Sequence, residues 1–138
     1  MPAKDIYHQL VRRGLEKDGW TITHDPLHID LVDIEVYIDL GAERLIAAER
    51  DNEKIAVEIK SFIGGSAISQ FHLALGQFLN YRFTLKKSEP ERILYLAVTS
   101  KIYSTFFQKA AIQEICKEYS LKLLVYHINS EEIIEWIN

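Results

Sequence analysis

Apolar residues recur along this chain with two periods, and the switches between them mark out its elements. Over residues 3–18, Ile6, Tyr7, Leu10, Val11 and Leu15 share one broad face at helical spacing, which predicts an amphipathic helix. Gly19 ends it, and Trp20-Thr21-Ile22-Thr23 begins a strand. His24-Asp25-Pro26-Leu27 is a break, because proline restricts the residue before it. Residues 28–34 keep no clear period, with Asp30 and Asp33 set among Ile29, Leu31 and Val32. Residues 35–40 alternate, placing Val36, Ile38 and Leu40 on one side and Tyr37 and Asp39 on the other, and Gly41 permits a bend. A hairpin follows, with residues 43–50 as its first arm, Asp51-Asn52 as its turn and residues 54–60 as its second arm.

Gly64-Gly65 separates the hairpin from a helix over residues 66–85, capped by Ser66. Its main apolar stripe is Ile68, Phe71, Leu75, Phe78 and Leu79; a second, more polar stripe is Gln70, Ala74, Gln77 and Tyr81. The loop from Lys86 to Pro90 ends that helix. Residues 92–98 read as a buried strand, residues 102–119 as a helix broken near Gln108, and residues 121–126 as a further strand. Residues 130–137 suit either a short helix or an edge strand. This order is that of an α/β sandwich built by one domain over residues 1–138, with residues 54–60, 92–98 and 121–126 in a mixed central sheet.

The second hairpin arm carries the candidate chemistry. Ile55, Val57 and Ile59 take one side of it, while Lys54, Ala56, Glu58 and Lys60 take the other. Charges near the end of a buried strand are costly unless paired or put to use. A carboxylate and an ammonium two residues apart suit one site: the first holds a metal ion, and the second sits near a polarised water or phosphate. The alternative is a cross-strand ion pair at a sheet edge.

Composition narrows the setting. The chain has 138 residues, 48% of them hydrophobic and 26% charged, as in ordinary globular proteins. No apolar run is long enough to span a bilayer, and residues 1–5 lack the pattern of a signal peptide. Cys116 is the sole cysteine, which excludes a disulfide framework or a cysteine zinc cluster and suits a reducing cytoplasm. A net charge of −4 argues against coating DNA through bulk positive charge, though not against an enzyme that gathers carboxylates around a metal. The apolar surplus of the C-terminal third (Ile102, Phe106, Phe107, Ile133, Ile134, Trp136 and Ile137) suggests a homodimer or partner interface there.

An acid before a hairpin, Glu-x-Lys on its second strand, and Gln77-Phe78-Leu79-Asn80-Tyr81 on the next helix resemble the PD-(D/E)xK nuclease-like superfamily, the last as the Gln-x-x-x-Tyr motif of its RecB-like branch. A closer resemblance spans nearly the whole chain. Asp39-Leu40-Gly41-Ala42-Glu43, Ala56-Val57-Glu58-Ile59-Lys60-Ser61-Phe62, Ala74-Leu75-Gly76-Gln77-Phe78-Leu79-Asn80-Tyr81-Arg82, Ile93-Leu94-Tyr95-Leu96-Ala97-Val98 and Trp136-Ile137 look like the XisH family, the fdxN element excision-controlling factors of cyanobacteria. The resemblance implies a restriction endonuclease-like fold and a role in programmed DNA rearrangement during heterocyst differentiation. The implied partners are DNA, a site-specific recombinase and a XisI-type protein.

The resemblance also implies a site for Mg²⁺ or Mn²⁺. Its ligands would be Asp39 or Glu43, Glu58 and the backbone carbonyl of Ile59. Lys60 would orient the attacking water, Gln77 would hold Lys60 or a phosphate, and Tyr81 would support the strand end. The two-residue turn places Leu45 opposite Glu58, so Glu43 falls diagonal to Glu58 on the same face, whereas Asp39 reaches it only through a bend at Gly41. Related nucleases often carry a Glu on the first helix where this chain has His8. Two functions remain open at this level: a metal-dependent deoxyribonuclease of the excision pathway, or a catalytically silent nuclease fold that serves as a regulatory scaffold.

Overall fold

A six-stranded mixed sheet lies between helices on its two faces. The computed structural model describes residues 3–28 and 45–138. In chain order the elements are α1 (Ala3–Lys17), β1 (Thr21–His24), β2 (Leu45–Arg50), β3 (Glu53–Ile59), α2 (Ala67–Ser88), β4 (Arg92–Thr99), α3 (Ser100–Ser104), a 3-10 turn (Phe106–Gln108), α4 (Ala110–Glu118), β5 (Leu123–His127) and β6 (Glu132–Ile137). The strands lie side by side in the order β1-β2-β3-β4-β5-β6. The β3–β4 and β4–β5 pairs are parallel and the others antiparallel. No described helix is long and apolar enough to cross a membrane.

The hairpin follows its turn chemistry. Asp51 and Asn52 have φ of 47° and 72°, the left-handed pair that a two-residue type I′ turn requires. That turn pairs Arg50 with Glu53 and carries the register to Leu45 opposite Glu58, as the sequence predicts. Alternation then divides β3. Ile55, Val57 and Ile59 join Leu10, Val11 and Leu15 of α1 in one core, while Ala56 joins Phe71, Ala74, Phe78, Tyr81 and Leu85 of α2 in the other.

Several elements differ in detail from the sequence expectation. The buried seam of α2 is Phe71, Ala74, Phe78, Tyr81 and Leu85, which takes residues from both predicted stripes. Ile68 is 42% exposed instead. Ala74 at the centre of the seam has no bulk, so a larger neighbour on each side reaches the sheet. The helix continues past 85 to Ser88, where Ser88 Oγ donates to the Thr84 carbonyl and Lys86 and Lys87 sit near the final carbonyls. The stretch expected as a broken helix starts earlier, at Ser100, and divides at Thr105 and Lys109 around the 3-10 turn, which buries Phe106 and Phe107. Residues 132–137 form an edge strand. Much of the C-terminal apolar surplus is used inside the chain: Trp136 meets Tyr95 at 4.9 Å and Trp20 at 5.8 Å between ring centroids. Ile134 is left exposed. Residues 35–40, whose apolar and polar positions alternate, lie outside the described residues.

Candidate functional site

Glu58 and Lys60 project from the end of β3 toward α2. Glu58 is 3% exposed and Lys60 6% exposed, unusual values for charged side chains. Both belong to the α2 face because the strand's side chains alternate. The Lys60 backbone N–H donates to the Ala97 carbonyl at 3.2 Å, extending the β3–β4 ladder one residue past the regular strand. The Lys60 backbone is therefore fixed by the sheet. Its ammonium is fixed by α2, where Nζ donates to Gln77 Oε1. Tyr81, four residues further on, is buried on the same helix.

The chain turns sharply just after the site. Phe62 adopts φ of 56°, a left-handed conformation that costs a β-carbon residue about 1–2 kcal/mol. Its ring packs against Phe106 (tilted) and Phe107 (edge to face), with centroids 6.1 and 5.8 Å away, and each such aromatic pair contributes about 0.5–1.5 kcal/mol. Gln70 Nε2 donates to the carbonyls of Ile63, at 3.3 Å, and Gly64, binding the same loop to the start of α2. Sequence reasoning gave Phe62 and Gln70 no such holding role. The signal available was the Gly64-Gly65 pair, which requires a tight turn and hence something to hold it.

His8 belongs to a different set of contacts. Its Nε2 lies 2.9 Å from Asp25 Oδ1, and Arg12 Nη1 donates to Asp25 Oδ2 at 2.5 Å. His24 pairs with Ala47, which pairs with Ala56, so Asp25 leaves β1 at the sheet end that also carries Glu58. The structure therefore ties His8 and Arg12 of α1 to the break after β1. Asp25 and Arg12 were not singled out from sequence, where Asp25-Pro26 signals only a break.

The remaining candidates divide simply. Ile59 precedes Lys60 on β3, with its side chain toward α1. Asp39 and Glu43 lie outside the described residues. Among the described residues no group of three His, Cys, Asp or Glu side chains is gathered closely enough to hold a metal ion. The candidate site thus centres on the Lys60–Gln77 contact between the sheet and α2, with Glu58 buried on the same strand face and Tyr81 one turn further along α2, at the carboxyl end of parallel strands, where open α/β sheets bind ligands. Cys116 is remote from this chemistry; burial pushes its thiol pKa up to about 11.

Residues 1–134 match the model of the XisH protein family. Two solved structures are similar over 97% of the chain, each at 51% identity with a TM-score of 0.90. One is an XisH family protein from Nostoc punctiforme PCC 73102, covered over its full length. The other is a fdxN element excision controlling factor protein from Anabaena variabilis, 99% covered. No curated protein matches the chain. With nearly every residue inside the family match, and that match accompanied by close structural similarity, the chain belongs to the XisH family.

Proposed function

We propose that this chain is a controlling factor for excision of a DNA element, and that it acts through metal-dependent hydrolysis of a DNA phosphodiester at Glu58 and Lys60. The observation that carries this reading is the buried Glu58–Lys60 pair at the end of β3, with the Lys60 ammonium held by Gln77. A carboxylate and an ammonium removed from water cost several kcal/mol each unless their surroundings compensate, so two at one strand end suit use better than chance. The layout supports a restriction endonuclease-like core over residues 1–138: a helix, an antiparallel hairpin, a second helix on the opposite face, then parallel strands. One relative is a fdxN element excision controlling factor, which supports the assignment to excision.

Mg²⁺ or Mn²⁺ fits the donor types, because hard cations take carboxylate and carbonyl oxygens. Glu58 and the Ile59 carbonyl would hold it, with Asp39 or Glu43 as the second carboxylate. Such an ion lowers the pKa of water and neutralises charge developing on phosphate. The chain's own contribution is positional. Lys60, fixed at its backbone by Ala97 and at its tip by Gln77, presents positive charge to a scissile phosphate without having to reorganise. Tyr81 braces α2 against the sheet end, keeping Gln77 at its station. The protein would work in the cytoplasm, with DNA as substrate and a site-specific recombinase and a XisI-type protein as partners.

One observation favours a second reading. At 3% exposure Glu58 offers little surface to a substrate. In that reading the site is catalytically silent and the domain is a scaffold for the recombinase and the XisI-type protein. Incubating the pure protein with labelled plasmid and linear DNA in Mg²⁺ or Mn²⁺ separates the two. The nuclease reading predicts cleavage that Glu58→Ala and Lys60→Ala abolish; metal-independent cleavage, or none with either substrate, rejects it.

A further inference from the structure

The outer end of α2 forms a second feature that the Glu58 site does not use. A groove of about 500 Å³ opens between the last turns of α2, the start of β4 and the turn before β5. Its size is that of a small-ligand site. Arg82, Lys86, Arg92 and Lys122 line it, and its lining includes no Asp or Glu. In a chain with 20 acids against 16 Lys and Arg, that is a marked local reversal of charge. Glu89, beside the groove, pairs with Arg92 at 3.0 Å and so offsets one of the four cations. Arg82 uses Nη1 to donate to the carbonyls of Tyr119 and Ser120. Lys86 and Lys122 make no ion pair among the described residues; Lys86 is exposed and Lys122 half-buried.

Between these cations the groove wall is apolar and partly aromatic. Phe83 is 58% exposed although it occupies a helix that buries its other large aromatic residues. Lys87 Nζ lies over one face of its ring, 5.4 Å from the centroid, adding positive charge there. Ile93, at the start of β4, is likewise exposed. One exposed ring, Phe83, near Lys86 and Lys122, which make no ion pair among the described residues, matches a polyanion whose charged backbone alternates with flat apolar groups. That is the chemistry of single-stranded nucleic acid, in which bases stack on aromatic rings while phosphates follow a basic groove. An acidic peptide would satisfy the lysines but would leave Phe83 without a stacking partner.

We propose that this groove binds a short stretch of single-stranded DNA, with a base on Phe83 and phosphates at Lys86, Lys122 and Arg82. It is separate from the Glu58 site. Arg92 is level with Lys54 on β3 and Leu96 is level with Glu58, so four strand residues, about 13 Å, lie between the two.

The test is fluorescence anisotropy with a labelled oligothymidylate of about a dozen nucleotides, in EDTA, so that no metal-dependent step at Glu58 contributes. The wild-type protein should bind with a log–log salt slope of about −2, as for three phosphate contacts to a single strand. Lys86→Gln should reduce that slope by about 0.7 and Phe83→Ala should weaken binding about tenfold, with Phe83→Tyr restoring it. Both positions are exposed, so unchanged melting temperatures will verify the fold. Absence of binding, equal binding of a blunt duplex, full competition by oligoglutamate, or indifference to Phe83→Ala would each overturn the proposal. Because cleavage is not measured, failure here leaves the Glu58 reading standing, and loss of cleavage leaves this one standing.

Discussion

Replacing Gln77 with Leu removes one acceptor of the Lys60 ammonium while nearly preserving side-chain volume. Lys60 is 6% exposed, so water does not readily replace the lost bond. A hydrogen bond to a charged group is worth about 1.5–3 kcal/mol, and Gln77→Leu should cost that much. Lys60→Met in the wild-type background also breaks the bond, but it takes the charge out of the interior with it. In the double variant the two apolar side chains meet, so the combined loss should fall short of the sum by about 1.5–3 kcal/mol. The assay is equilibrium urea unfolding of wild type, both single variants and the double variant, read from shifts in midpoint at constant m-value. In a chain of this size each kcal/mol also moves Tm by roughly 2–8 °C. If the single effects add to within about 0.5 kcal/mol, the two side chains are not coupled and the Lys60–Gln77 contact does not organise the site.

Four further outcomes follow from particular contacts. Phe71→Ala should lower stability by about 3–5 kcal/mol, measured by urea unfolding, because Phe71 is fully buried against Phe106 and Phe107. Gly14→Val should destabilise by about 1–3 kcal/mol in the same assay, since even a β-carbon there would stand 3.2 Å from Ile133 Cγ1. Asn52→Gly should keep or slightly raise Tm while Asn52→Val lowers it, as φ of 72° disfavours a β-branched side chain. Cys116, with its pKa at about 11, is protonated at neutral pH. Its alkylation by iodoacetamide should be slow at pH 7 and accelerate about tenfold per pH unit until the thiol titrates, as followed by mass spectrometry.

How much of this was legible depended on how far each feature relied on local rules. The β2–β3 hairpin was legible because a two-residue turn fixes register, and alternation then decides which face each side chain takes. That reasoning placed Leu45 opposite Glu58 and put Glu58 and Lys60 on one face. The buried seam of α2 was less legible. Nearly every turn of that helix offers an apolar residue, so periodicity alone could not choose between stripes, and Ala74 and Tyr81 were chosen by the surface of the sheet. The edge strand β6 was ambiguous because Ile133, Ile134, Trp136 and Ile137 fit either period. The His8–Asp25–Arg12 cluster was not legible, since it depends on how the chain leaves β1 and returns along α1. For the first acid the sequence offered Asp39 and Glu43, and both lie outside the described residues.

The central claim is that Glu58 is a metal ligand, and melting curves in Mn²⁺ test it most directly. A cation that binds only the folded protein stabilises it by about 2.7 kcal/mol at 100 times its Kd. The wild-type Tm should therefore rise by roughly 5 °C or more as Mn²⁺ is raised to millimolar levels. Glu58→Gln, which keeps the shape and removes the charge, should retain its fold and lose that rise, whereas Lys60→Ala should keep it. Identical responses of wild type and Glu58→Gln would contradict the claim and leave the scaffold as the preferred reading.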